Sequence, residues 1–83
     1  MQLLYMIWID GNRRVVAESE YKYGEGAGAW ESKVYLDDGM TLIGSHTERE
    51  EAIDYVDSLV IDRGEGEMHF FGKRCEARYL VSD

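Results

Sequence analysis

The chain has no proline and one cysteine, Cys75, in 83 residues. A single thiol excludes an internal disulfide and leaves too little sulfur for a zinc ribbon, which suits a reducing cytosol, so a cytoplasmic location is expected. Without proline, the nine glycines are left to mark the breaks in the chain. Bases are also scarce. Nine Lys and Arg stand against seventeen Asp and Glu, a formal net charge of −8. Such a chain meets phosphate with repulsion, so no direct contact with nucleic acid is expected. No apolar run is long enough to span a bilayer. The apolar start, Met1 to Asp10, lacks a preceding basic region and a small-residue cleavage site, so it does not read as a signal peptide, and no membrane partner is expected. What is present, 45% hydrophobic and 12% aromatic residues with no repeat or low-complexity tract, is the composition of one folded domain over residues 1–83.

The negative charge is not spread evenly. Residues 31–67 hold the acids Glu31, Asp37, Asp38, Glu48, Glu50, Glu51, Asp54, Asp57, Asp62, Glu65 and Glu67 against the bases Lys33, Arg49 and Arg63, and the two flanks nearly cancel. A polarised field of this kind bears on partners rather than on fold.

Hydrophobic periodicity divides the chain into elements. Leu3 to Ile9 is apolar on both faces and reads as a central strand. Asp10-Gly11 suggests a hairpin turn with positive φ into a strand from Arg13 to Tyr23. That strand sets Val15, Ala17, Ser19, Tyr21 and Tyr23 on one face and Val16, Glu18, Glu20 and Lys22 on the other. Gly24 to Ala29 reads as a flexible loop. Trp30 to Asp37 then alternates with Trp30, Ser32, Val34 and Leu36 inward, and Asp38-Gly39 marks a second hairpin before Met40 to Gly44. From residue 47 the period becomes helical. Thr47 is the expected N-cap, Ala52, Ile53, Val56, Leu59 and Val60 form the apolar stripe, and Gly64 is the expected C-cap. Glu67 to Phe71 and Arg74 to Val81 read as two strands joined through Gly72-Lys73. The expected class is α+β: an antiparallel or mixed sheet with one helix on one face, in the order ββββαββ.

Candidate site residues fall in two groups. Glu48, Glu50, Glu51, Asp54 and Asp57 place five carboxylates along about 13.5 Å of helix axis at 1.5 Å per residue. That density is of the same order as duplex DNA, with about one charge per 1.7 Å. Asp37 and Asp38 extend this acidic surface, and Tyr21, Tyr23 and Trp30 are candidate aromatic anchors of an interface. Gly24, Gly26 and Ala29 loosely match a dinucleotide fingerprint, but a strand follows where the motif needs a helix N-terminus, so no cofactor is expected. A hairpin at Gly72-Lys73 would set His69 opposite Glu76 and Phe70 opposite Cys75, which puts His69 and Cys75 on opposite faces and excludes a Cys–His couple. His46 reads as a residue of the helix-capping region. The two histidines and scattered acids lack metal-site spacing.

In size, charge and the acidic helix from Glu48 to Asp57, the chain resembles the small inhibitors that phages and mobile elements carry against host defence, anti-CRISPR proteins among them. The resemblance rests on no specific motif, so it assigns no residue a role. It implies a non-enzymatic binder whose acidic surface occupies a basic, nucleic-acid-binding site on a larger protein, such as an effector complex. Two alternatives stand beside it. One is an accessory domain that forms a homodimer through a sheet edge or the Tyr/Trp surface. The other is a small ligand-binding domain or enzyme with the Gly24 to Ala29 loop closing over Glu18 and Glu20.

Overall fold

The computed structural model describes residues 2–24, 26–64 and 66–81. Its elements are β1 (Tyr5–Ile9), β2 (Val15–Tyr23), β3 (Gly28–Tyr35), β4 (Thr41–His46), α1 (Arg49–Val60) and β5 (Glu67–Phe71), followed by a 3₁₀ turn (Arg74–Ala77) and the short helix α2 (Arg78–Val81). The five strands pair antiparallel in the order β4-β3-β2-β1-β5, with α1 following β4. Glu25 of the expected loop and Glu65 of the acidic stretch lie outside the described residues.

β1 is apolar on both faces because both are covered. Met6 and Trp8 join Val16, Ala17, Trp30 and Val34 beneath the buried Ala52 and Val56 of α1. Tyr5, Ile7 and Ile9 face the other way and pack with Phe71 and Ala77. The expected helix stripe is therefore present, with Ala52 and Val56 fully buried and Ile53, Leu59 and Val60 partly so. Beneath α1, Ser32 donates to Ser19 at 2.9 Å, which satisfies two hydroxyls buried where the helix packs on the sheet.

Four local expectations are corrected. A β-bulge lets Trp8 pair with Ala17 while Ile9 pairs with Val15. The extra residue flips the alternation, so Val16 joins the face under the helix and Val15 the opposite one. Both hairpins use three-residue loops. The Arg13 N–H donates to the Asp10 carbonyl, as the Gly39 N–H does to that of Leu36, and the left-handed residue is the third of each loop. Gly39 takes that position at φ 89°, but in the first hairpin it falls on Arg13 at φ 62°, not on Gly11. At the start of α1 the N-cap is Glu48 rather than Thr47, and its backbone N–H donates to Glu51 at 3.3 Å. At the other end Ile61 is the C-cap, with Gly64 at φ 89° further along.

The largest correction is the last strand. Arg74 to Val81 does not return along β5, because the Gly72 N–H donates to Glu76 at 2.9 Å and the Glu76 N–H to the Lys73 carbonyl, which winds the chain into the 3₁₀ turn. Ala77 and Leu80, three apart, then pack on the β1 and β5 face as a helical segment would. The element order is ββββαβ followed by this short helical segment, and the α+β class stands.

Candidate functional site

α1 begins with Glu50 and Glu51 in its first turn, where carboxylates complement the positive end of the helix dipole, and it has no base in its last turn. Glu48, Glu50, Glu51, Asp54 and Asp57 are all exposed positions, but they are not equivalent. Glu51 is drawn back to the Glu48 N–H. Asp57 accepts from the Trp8 indole N–H at 2.9 Å, which ties the helix to the central strand. The Glu50 side chain is 81% exposed, and its one basic neighbour within ion-pair distance among the described residues is Arg49 at 3.9 Å, whose guanidinium lies 5.6 Å above the Phe70 ring. Among the described residues, Asp54 has no base within ion-pair distance.

Arg63, just beyond α1, connects the two acidic segments. Its guanidinium lies 3.2 Å from Asp37 and donates to the Tyr35 carbonyl, which draws the β3–β4 turn towards the end of the helix. Asp38 accepts from the Met40 N–H at 2.9 Å and so shapes that turn. Asp37 is thus brought to the end of the acidic helix, paired with a base, and Asp38 lies in the same turn. Between the end of α1 and the sheet is a cleft of about 370 Å³ lined by Trp8, Asp57, Val60, Ile61, Arg63 and Met68, among others.

The aromatic group divides. Trp30 is buried core, and Tyr21 packs edge-on to it with centroids 5.5 Å apart. Tyr23 packs edge-on to Tyr21 at 4.9 Å and is 72% exposed. The three border an open cleft of about 600 Å³ with Leu3, Glu48 and Arg49, so the aromatic residues meet the start of the acidic helix.

One polar constellation escapes sequence reading. On the face away from α1, Glu18 accepts from Tyr5 Oη at 2.9 Å and from Tyr35 Oη, and Arg74 lies 3.6 Å away. The Glu18 side chain is only 12% exposed. Burial, reinforced by the Glu18 carboxylate, raises the pKa of both phenols, that of Tyr35 to about 12. The signal lies in strand register. Glu18 pairs with Lys33 and Tyr5 with Glu20, so both tyrosines reach Glu18 diagonally once three strands are aligned. A carboxylate held by phenols that remain protonated at neutral pH is well placed to brace a fold.

Gly24 to Ala29 does not form one long loop. Gly28 and Ala29 belong to β3, and the Gly24 N–H closes the turn onto the Ala27 carbonyl. That turn lies six residues along β2 from Glu18, about 20 Å at roughly 3.3 Å per residue, too far to close over it. His69 pairs with Ile7 rather than Glu76, and Cys75 is exposed in the 3₁₀ turn. His46 ends β4, with its ring centroid 4.9 Å from that of Tyr55, so it is a strand residue rather than part of the cap. No group of three or more His, Cys, Asp or Glu among the described residues is arranged to hold a metal, and no described helix is long and apolar enough to cross a membrane. No protein-family model, curated protein or solved structure matches the chain.

Proposed function

We propose that this protein is a non-enzymatic binder that lays the exposed face of α1 into a basic groove, of the kind that grips nucleic acid, on a larger protein. One observation carries the reading. Asp54 is exposed on the helix with no base within ion-pair distance among the described residues and Glu50 is 81% exposed beside Arg49 alone, on its own helix, whereas Glu18, Asp57 and Asp37 each hold a donor or base from another part of the fold. Exposed acids that tie no other part of the fold contribute most to the outward field, and such a field steers a basic partner and sets its orientation. The occupied site would be that of a nucleic-acid-binding effector in the same cytoplasm, and the activity an inhibition by occupancy, as in the anti-CRISPR type of protein. The exposed Tyr23, beside Glu48, offers an aromatic contact at the margin of the same surface.

The test is competition. Immobilised protein is presented with host lysate at low salt, and captured partners are eluted with duplex DNA or RNA and, separately, with salt. The expected partner is released by both, because nucleic acid and protein share one groove and the attraction is screened. A partner that binds this protein and nucleic acid simultaneously would overturn the reading.

A further inference from the structure

The two edges of the sheet differ. At β5 the exposed end carries Glu67, whose carboxylate lies 3.6 Å from His69, and the far end runs into the buried Phe71 and the 3₁₀ turn. β4 has no such protection. From Gly39 to Thr47 the chain carries no Asp, Glu, Lys or Arg and no proline, and β4 pairs with β3 without a register shift. Charges, prolines and bulges are the usual means of keeping an open edge from pairing with another strand. Met40, Leu42 and Ile43 are 61%, 36% and 70% exposed along this edge. Tyr55 packs against Gly44, where an added Cβ would meet its ring at 2.6 Å, so the middle of β4 is held flat against the helix layer.

We infer that β4 is a self-association edge at which a second copy of this chain adds its own β4 antiparallel, producing a continuous ten-stranded sheet. The partner is a second copy because an uncharged, regularly paired edge strand is self-complementary about a two-fold axis. A molecule of net charge −8 repels its own kind over most contacts, but this edge brings two copies together without setting like charges opposite each other. The symmetry also restricts the register. A two-fold axis normal to the sheet keeps both helices on one side, so paired residue numbers sum to an even value. A sum of 86 places Ile43 opposite Ile43, Leu42 opposite Gly44, Thr41 opposite Ser45 and Met40 opposite His46. The most exposed apolar side chain of the strand then covers its own mate, and Leu42 meets a residue with no side chain. An edge of six residues makes a small interface, so the dimer is a weak one.

The inference does not rest on the basic-groove reading, and salt separates the two. Screening weakens a contact with a basic partner, but it strengthens this dimer by damping the repulsion between two acidic helices on one side of the sheet. Sedimentation of the full chain over a rising concentration series should show monomer and dimer, with dimer favoured by added salt. Ile43→Lys should remain monomeric throughout, with circular dichroism and melting temperature unchanged. In a Cys75→Ser background, Ile43→Cys should oxidise to a covalent dimer much faster than Ile61→Cys, an exposed control away from the edge. A wild-type protein that is monomeric into the high micromolar range, a dimer that persists in Ile43→Lys, or equal cross-linking at positions 43 and 61 would each overturn the inference.

Discussion

Glu18 and Glu50 bear the same carboxylate, yet the side chain of one is 12% exposed and that of the other 81%. Glu18 holds two phenols and faces Arg74 on the sheet, whereas Glu50 extends from α1 beside a base that is also engaged above Phe70. A net charge of −8 counts them alike. The structure separates acids that brace the fold from acids that form a field, and the second set alone is free to be spent on a partner. Asp57 lies between the two classes, exposed at the flank of the helix but bonded to Trp8.

Placing an acid inside without donors breaks the division most severely. Val56 is fully buried in the centre of the α1 contact with the sheet. Val56→Asp should cost several kcal/mol in a domain with roughly 5 to 15 kcal/mol of total stability, because it moves a carboxylate out of water into an apolar cluster. Urea denaturation and circular dichroism should show a largely unfolded chain, and a cooperative wild-type-like transition would mean that α1 does not pack through Val56.

Removing the acid that does have donors should cost less. Glu18→Ala leaves the buried Tyr5 hydroxyl and the half-buried Tyr35 hydroxyl without their acceptor. At roughly 1–3 kcal/mol for the buried Tyr5 hydroxyl and about 1 kcal/mol for the half-buried Tyr35 hydroxyl, which water can reach, a loss of about 2–4 kcal/mol is expected. The same cluster makes stability depend on alkaline pH. The folded-state pKa of Tyr35 lies at about 12 against an ordinary 10.0. Its contribution is therefore complete below pH 10 and is lost as pH rises towards about 12, and Tyr5 is shifted in the same direction. Urea melts below and within that window should show the decline, and Tyr35→Phe should reduce it. A flat profile in the wild type would mean that Glu18 does not hold these phenols.

Much of the fold is legible in the chain because burial imposes a period. β1 reads as central from its two apolar faces, and the α1 stripe reads from its helical spacing. Ambiguity enters wherever a single residue decides. One bulge residue reverses the facing of Val15, and the left-handed position of the first hairpin lands on Arg13, which no residue preference singles out. Arg74 to Val81 is compatible with strand alternation and with the i, i+3 pair Ala77 and Leu80, and the second prevails through the local hydrogen bond from Gly72 to Glu76 and the packing of Ala77 and Leu80 on the β1 and β5 face. The acidic helix was visible as a candidate surface for the same periodic reason. The distinction between Glu50 and Asp57 was not, because it depends on Trp8, 49 positions away in sequence.

That distinction sets the smallest expected effect on stability. Reversing Glu50 and Asp54 to Lys alters two exposed side chains that anchor nothing, so urea stability should change by no more than about 0.5 kcal/mol. Glu50→Lys places a cation in the first turn of α1, where the dipole makes it slightly unfavourable, whereas position 54 lies beyond the reach of that effect, so a small loss is expected from the first substitution alone. Adding Asp57→Lys should cost about 1 kcal/mol more, since it strands the Trp8 indole N–H, and a triple reversal would therefore confuse loss of binding with loss of fold. The double variant isolates the field. Binding to the basic partner should fall steeply, mainly through slower association, and the remaining affinity should depend less on salt. Wild-type affinity in a double variant of wild-type stability would show that the exposed acids serve only to solvate the helix, and the β4 edge and the Tyr23 cleft would then be the surfaces left to account for binding.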